Sequence, residues 1–465
     1  MSQGLQASGH SQADQDLPRG GGAPAPLVED PNPGLWFRIL YACYDLIWIS
    51  LIVLLSPWWV LRCLRSADFR RMARERMTLP RPSLSEPDPD RGRILVHGVS
   101  VGEVKASQSL VAALREDYEV VVSASTNTGM EVARQLYPDL AVVRFPLDLA
   151  LVARRFLRRV QPRWVVLMEL ELWPNFLKST NRMGSPVAVA SGRITESSFR
   201  NYKRFSATVP QFNRISVFAA QDERYAARFS ALAGSDARVV VTGNVKVDGL
   251  RTGPPLRDAA WDRLRSLAGP RPGQAVLVAG STHEPEEGLV LAAFRRADPK
   301  ARIVIVPRHP PRAEAVIQVL ASQGESAQRW TDILSESEDP DPSRPLVVDT
   351  IGELERVYGL ADAVFVGGTL IPHGGQNMLE PAAQGLPVLY GPNTGNFSQE
   401  AALLEEAGAA MRVKDADELG RRLAELLADD DRRQAMSVAG IAAVDSQRGA
   451  TARTLQALRK RLRLD

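Results

Sequence analysis

HGVSVGEVKAS, residues 97–107, follows the apolar run Ile94-Leu95-Val96 and offers a carboxylate, Glu103, where a helix is expected to begin. A carboxylate there either complements the helix dipole or serves as a base at the mouth of a cleft. MELELWPN, residues 168–175, places Glu169 and Glu171 at the end of another apolar run. In strand geometry those two point to one face, with Leu170 opposite. Two carboxylates behind an all-apolar run carry a desolvation cost unless something pairs with them. One is expected to pair with an arginine such as Arg193 and the other to act, and the residues alone do not say which.

The second half of the chain carries groups suited to an anionic ligand. PRHPPR (307–312) puts Arg308 at a strand end, where a guanidinium makes bidentate phosphate contacts. DTIGEL (349–354) is a strand end and helix entrance, with Thr350 expected to cap and the Gly352 amide open. HGGQNMLEPAAQGLPVLYGP (373–392) holds the pair Gly374-Gly375, which permits close backbone approach, and a helix expected to open near Asn377. Glu380, one turn in, suits the two hydroxyls of a ribose. Apart from His10, the histidines (His97, His283, His309 and His373) each come just after an apolar run, as the lining of a ligand crevice would. They are too scattered for a metal site.

Residues so placed need strands to hold them. From about residue 92, Val-rich runs without alternation (ILVHGV, VVVSAST, AVVRFP, RWVVLMEL, PVAVAS, VFAAQ) alternate with helix-like stretches. That is the pattern of parallel strands buried on both faces. DGLRTGPPLRDAAW (248–261) interrupts it as a linker, and it resumes with AVLVAGS, RIVIVPRH, PLVVDT, AVFVGGT and PVLYG. Two doubly wound domains in tandem are expected, consistent with a 465-residue chain of 45% apolar and 24% charged residues. No Gly-Lys pair exists, so there is no P-loop, and no G-x-G-x-x-G follows a strand. Kinase, ATPase and common dehydrogenase readings lose ground to a nucleotide-sugar glycosyltransferase. The net charge of +3 argues against a dedicated nucleic-acid binder, and two cysteines, Cys43 and Cys63, give neither a disulfide framework nor a zinc spacing.

Residues 1–34, rich in Gly, Pro and Ser, read as a disordered tail. Residues 35–62 read as a membrane-anchor helix: from Ile39 to Leu61 the only charge is Asp45, and the length is near the ~20 residues a span needs. Asp45 and Pro57 weaken a clean span, so a helix in the interface stays open beside it. Arg62, Arg65, Arg70, Arg71, Arg74 and Arg76 follow, which places the later residues on the cytoplasmic side of an inner membrane and suggests an anionic lipid surface or lipid substrate.

Taken together, these blocks resemble the 3-deoxy-D-manno-octulosonic acid (Kdo) transferases of lipopolysaccharide synthesis. HGVSVGEVKAS, ELELWPN, SGRITESSFRNY, VTGNVKVD, STHEPEE, VPRHPPR, DTIGELERVYGLADAVFVGGTL and HGGQNMLEPAAQGLPVLYGPNTGNF occur in that family's order. SGR stands where NAR is more usual, and Met378 where proline is common. The resemblance implies a GT-B fold, two Rossmann-like domains across a cleft. The domain over 63–248 would take a lipid A precursor as acceptor, and that over 249–465 would take CMP-Kdo as donor, with the last helix free to pack back on the first domain. It also implies inverting transfer without a metal or resident cofactor, Glu103 as general base, and Glu169 and Lys246 as transition-state stabilisers. CMP contacts carry over to Pro307, Arg308, Ile351, Gly352, Glu353, Asn377, Met378, Leu379 and Glu380. Two alternatives stay open: a membrane-tethered transferase or epimerase for another nucleotide sugar, and a nucleotide-binding scaffold without turnover.

Overall fold

A computed structural model describes residues 34–79, 84–205, 211–254 and 257–462; the tail expected over 1–34 lies outside them but for its last residue. The Val-rich runs form two seven-stranded sheets in which every neighbouring pair is parallel. The first holds β1 (Arg93–Gly98), β2 (Glu119–Ala124), β3 (Ala141–Arg144), β4 (Trp164–Met168), β5 (Val187–Gly192), β6 (Val217–Ala220) and β7 (Val239–Val241), in the order β3-β2-β1-β4-β5-β6-β7. The second holds β8 (Val276–Thr282), β9 (Arg302–Pro307), β10 (Gln328–Arg329), β11 (Leu346–Val347), β12 (Ala363–Val366), β13 (Val388–Tyr390) and β14 (Ala410–Arg412), in the order β10-β11-β9-β8-β12-β13-β14.

Absence of alternation has a direct cause in the packing. In β1, Ile94 and Val96 join the core on one face of the sheet while Leu95 joins the core on the other. In β8, Val276 and Val278 face one core and Leu277 and Ala279 the opposite one. Each sheet reverses its strand order at its centre, between β1 and β4 and between β8 and β12. Crevices that hold ligands open at such reversals, outside the carboxyl ends of the strands. Glu103 and Glu169 follow β1 and β4; His283 and Gly368 follow β8 and β12.

Three features depart from the sequence reading. Strands β7, β10 and β14 had no counterpart among the apolar runs, because two or three residues carry too little pattern. Within the stretch read as a linker, a helix already begins at Ala259, its first turn capped by Asp258, which accepts from the Trp261 amide at 2.7 Å. The anchor expected as one helix over 35–62 is two, α1 (Leu35–Leu54) and α2 (Ser56–Arg65), followed by α3 (Ala67–Arg76). Pro57 has no amide to donate back to Val53, so the first helix ends and the second starts with proline in its opening turn. By length and composition alone, α1 is able to cross a membrane.

The chain closes with the helix Ala450–Leu462, which lies on the first sheet's core through Ala450 and Leu458. Asp248 caps it, accepting from the Gly449 amide at 2.8 Å and the Thr451 amide at 2.5 Å.

Candidate active site

The first acidic group is fixed by its own loop. Beyond β1 the chain turns into the short helix Val101–Ala106, and Glu103 lies in its first turn. Gly98 permits the turn, since a Cβ there would stand 3.1 Å from the Glu103 backbone carbon and Cβ. One Glu103 oxygen accepts from the Val99 amide at 2.7 Å and the other from the Ser100 hydroxyl at 3.0 Å. The S-x-x-E spacing is that of a capping box, yet Ser100 gives no side-chain cap and Glu103 reaches past the Ser100 amide to that of Val99, so the box does not form. Burial, with the Glu169 charge adding to it, raises the Glu103 carboxyl above the usual range, against the pull of the Val99 amide. A carboxylate held in place and made more basic is what proton abstraction asks for.

β4 ends at Met168, and Glu169 takes the left-handed conformation at φ +61°. For a non-glycine residue that costs roughly 1–3 kcal/mol and persists only where the surroundings enforce it. They do: Glu169 meets Lys246 Nζ at 2.5 Å and Arg193 Nε at 3.1 Å, and its amide donates to Ala190 O at 2.9 Å. Burial pushes the Glu169 carboxyl up, but Lys246 and Arg193 outweigh it and hold the group below the usual carboxylate range. The turn also ends strand geometry, so Leu170 does not face away. Leu170, Glu171 and Glu169 all line one cavity of about 160 Å³, together with Glu103, Arg193 and Tyr202. Glu169 is thus the paired member of the two. Glu171 has no salt bridge among the described residues; burial and then the Glu103 charge push its carboxyl up to about 7.

Lys246 is set by residues that the sequence reading passed over. Asn244 caps the one-turn helix Val245–Asp248, its Oδ1 accepting from the Lys246 amide at 3.1 Å and from the Ser191 hydroxyl at 3.3 Å. Gln221 donates to Ser191 O at 3.0 Å. An asparagine just ahead of a short helix is a capping signal, and reading TGNVK that way would have found it.

Across the cleft, the residues expected to contact CMP lie beyond the carboxyl ends of β9, β11 and β12. Pro307 ends β9, and the Arg308 amide donates to Thr282 O at 3.0 Å while its side chain is exposed. Ile351 is exposed, Gly352 has φ +96° with nothing near a Cβ, and Glu353 precedes the helix Leu354–Tyr358. The helix expected near Asn377 opens two residues later, at Leu379, and Asn377 serves it: Oδ1 accepts from the Leu379 amide at 3.1 Å and Nδ2 donates to Glu380 at 3.0 Å. Met378 is fully buried in the domain core. Burial raises the Glu380 carboxyl, and the Asn377 amide, Lys105 from the opposite domain and Arg308 pull it back. Glu400 likewise senses Arg193 and Lys246 across the cleft.

Two expectations fail here. Thr350 caps nothing; its hydroxyl is buried without a partner, and Asp349 bonds Thr331 instead, at 3.1 Å to the amide and 2.7 Å to the hydroxyl. His97 does not line the cleft: it is wholly buried inside β1, stacked on Phe145 at 3.9 Å and bonded to the Ser123 hydroxyl at 2.9 Å. Burial pushes its pKa down to about 3, so it stays neutral. The other three histidines do meet, with His283 stacked on His373 at 3.8 Å and 5.9 Å from His309. Buried Glu286 fastens that corner, accepting from the amides of His283 at 2.8 Å and Gly368 at 2.5 Å.

Two parallel-sheet domains facing across a cleft, with charged groups beyond the carboxyl ends of their strands, define a protein of the GT-B fold class. Solved structures agree on the fold. A glycosyltransferase from Rickettsia africae superposes with a TM-score of 0.58 at 11% identity, covering 81% of this chain and 100% of its own. A UDP-GlcNAc 2-epimerase from Neisseria meningitidis gives 0.54 at 13%, covering 79% and 100%. Residues 71–249 match the family described as 3-Deoxy-D-manno-octulosonic-acid transferase (kdotransferase). Over 377 residues the chain is 33% identical to the 3-deoxy-D-manno-octulosonic acid transferase of Haemophilus influenzae, covering 79% of this chain and 86% of the relative. Over 388 residues it is 36% identical to that of Bordetella pertussis, covering 80% and 88%. The chain belongs to the 3-deoxy-D-manno-octulosonic acid transferase family.

Proposed function

We propose that the protein transfers Kdo from CMP-Kdo to a glucosamine hydroxyl of a lipid A precursor, with inversion and without a metal, at the cytoplasmic face of the inner membrane. The observation that carries this reading is Glu103, oriented by Val99 and Ser100, sharing one cavity with the Glu169–Lys246–Arg193 cluster. A sugar hydroxyl is a poor nucleophile until its proton is taken. Glu103 accepts that proton as the hydroxyl oxygen bonds to the anomeric carbon of Kdo. The bond from that carbon to the CMP phosphate breaks, its electron pair leaves with phosphate, and the configuration inverts because attack and departure lie on opposite faces. Arg308 and the loop amides around Gly352 and Asn377 hold the nucleotide, and Lys246 meets the developing negative charge. Glu169 holds Lys246 and Arg193 in place beside the cavity.

The test uses detergent-solubilised protein with CMP-Kdo and lipid A precursor in excess chelator, following CMP release and product mass. Transfer is expected from the natural sequence, with a loss of roughly 10²-fold or more for Glu103→Gln. CMP binding without transfer by either protein would instead favour a nucleotide-binding scaffold.

A further inference from the structure

Helix α1 is docked through its middle. Phe37, Tyr41, Tyr44, Asp45, Trp48 and Ile52, spaced three and four apart, are buried or half-buried, a stripe about 22 Å long. The Tyr41 hydroxyl accepts from Gln211 Nε2 at 2.9 Å, and the Lys178 ammonium stands 3.8 Å above the Tyr41 ring. Asp45, at the midpoint, is also engaged. Its Oδ1 accepts from Asn175 Nδ2 at 2.8 Å and from the Ala150 amide at 3.2 Å. Ala150 opens the helix Ala150–Val160, whose preceding residue Leu149 supplies no side-chain cap, so Asp45 caps it from a distance in sequence. The opposite face is apolar and bare: Ile39, Leu46, Ile47, Ile49, Val53 and Leu54 are each at least 46% exposed.

A helix held this way cannot cross a bilayer by itself. Inserting α1 would strip Asp45 of both donors at the centre of the hydrocarbon, or drag Asn175, Gln211 and Lys178 in with it, and either is costly. Laid flat, the same helix keeps every polar contact and buries only its bare face. The surroundings match an anionic lipid surface. Trp36 and Trp58 are exposed near the two ends of the apolar stretch, Arg62, Arg65 and Arg74 are exposed on α2 and α3, and Arg154, Arg155 and Arg158 project from the helix that Asp45 caps.

We infer that α1 lies in one leaflet of an anionic bilayer, its outer face at the boundary of headgroups and acyl chains, while its inner stripe stays fastened to the acceptor domain. The inference rests on the reading of a lipid acceptor, but its test reads depth rather than transfer, so each fails on its own evidence. In the full chain, with Cys43→Ser and Cys63→Ser, nitroxide labels are placed singly by Ile39→Cys, Leu46→Cys, Ile49→Cys and Val53→Cys. Depth is measured by power saturation on vesicles of phosphatidylethanolamine and phosphatidylglycerol. All four labels are expected at one shallow depth, about 5–10 Å into the bilayer. A profile deepest at Leu46, near the middle of the ~30 Å core, and shallow at both ends would show a span and overturn the inference. Labels that stay out of lipid but broaden one another would show a second copy of the chain on this face, which also overturns it. Asp45→Leu separates the cases again. Docking predicts a fall in Tm of about 2–4 °C from the lost hydrogen bonds; a span predicts no fall and firmer membrane retention.

Discussion

Three carboxylates share one cavity and have three different electrostatic settings. Glu171, raised to about 7, holds its proton more tightly in the folded protein than in the unfolded chain, where a glutamate titrates near ~4.3. Its penalty is absent below the unfolded value and grows as pH rises through the window up to about 7, reaching on the order of 3 kcal/mol. Glu171→Gln is therefore expected to raise Tm at pH 8 and leave it unchanged at pH 4, measured by calorimetry across that range. Glu169 has the opposite sign. Held low by Lys246 and Arg193, it contributes stability above the unfolded value, and that contribution is lost as pH falls through the lower folded one. Lys246→Met should let the Glu169 pKa climb, move the acid limb of the pH–rate profile upward and lower transfer by roughly 10²-fold. Glu103, Glu169 and Glu171 were legible because a charge directly behind an apolar run is conspicuous. That one of the last two pairs with Arg193 was legible as well; which one was not, since Lys246 is 77 residues away from Glu169 and is aimed by Asn244, whose role is a cap.

At the scale of elements, long buried strands were readable and short edges were not. β1, β4, β8 and β12 bury side chains on both faces and so leave unbroken runs of Val, Leu and Ile. The two-residue β10 shows a polar Gln-Arg pair instead. Helix starts depend on side chains that the sequence distributes more widely, and this is why Thr350 misled. The helix Pro174–Arg182, just after the ELELW stretch, takes its cap from Asp148, which accepts from the amides of Asn175 at 3.1 Å and Phe176 at 2.8 Å. Asp148→Ala is expected to cost about 1–2 kcal/mol, read as a lower urea midpoint with unchanged slope.

For the whole molecule, the decisive feature is the return of the last helix to the first sheet. Truncation after Gln447 removes buried Ala450 and Leu458 and the partners of Asp248, worth on the order of 5 kcal/mol. Calorimetry should then show the first domain melting early, with CMP binding by the second domain retained; equal loss in both would refute this division. The same helix touches Val245–Asp248, the turn that carries Lys246. Domains fold as they leave the ribosome, N-terminal first, but this one cannot finish in that order. The turn that presents Lys246 is held by a helix that follows the whole second domain in sequence, so the first domain takes its finished form only after the second has been made.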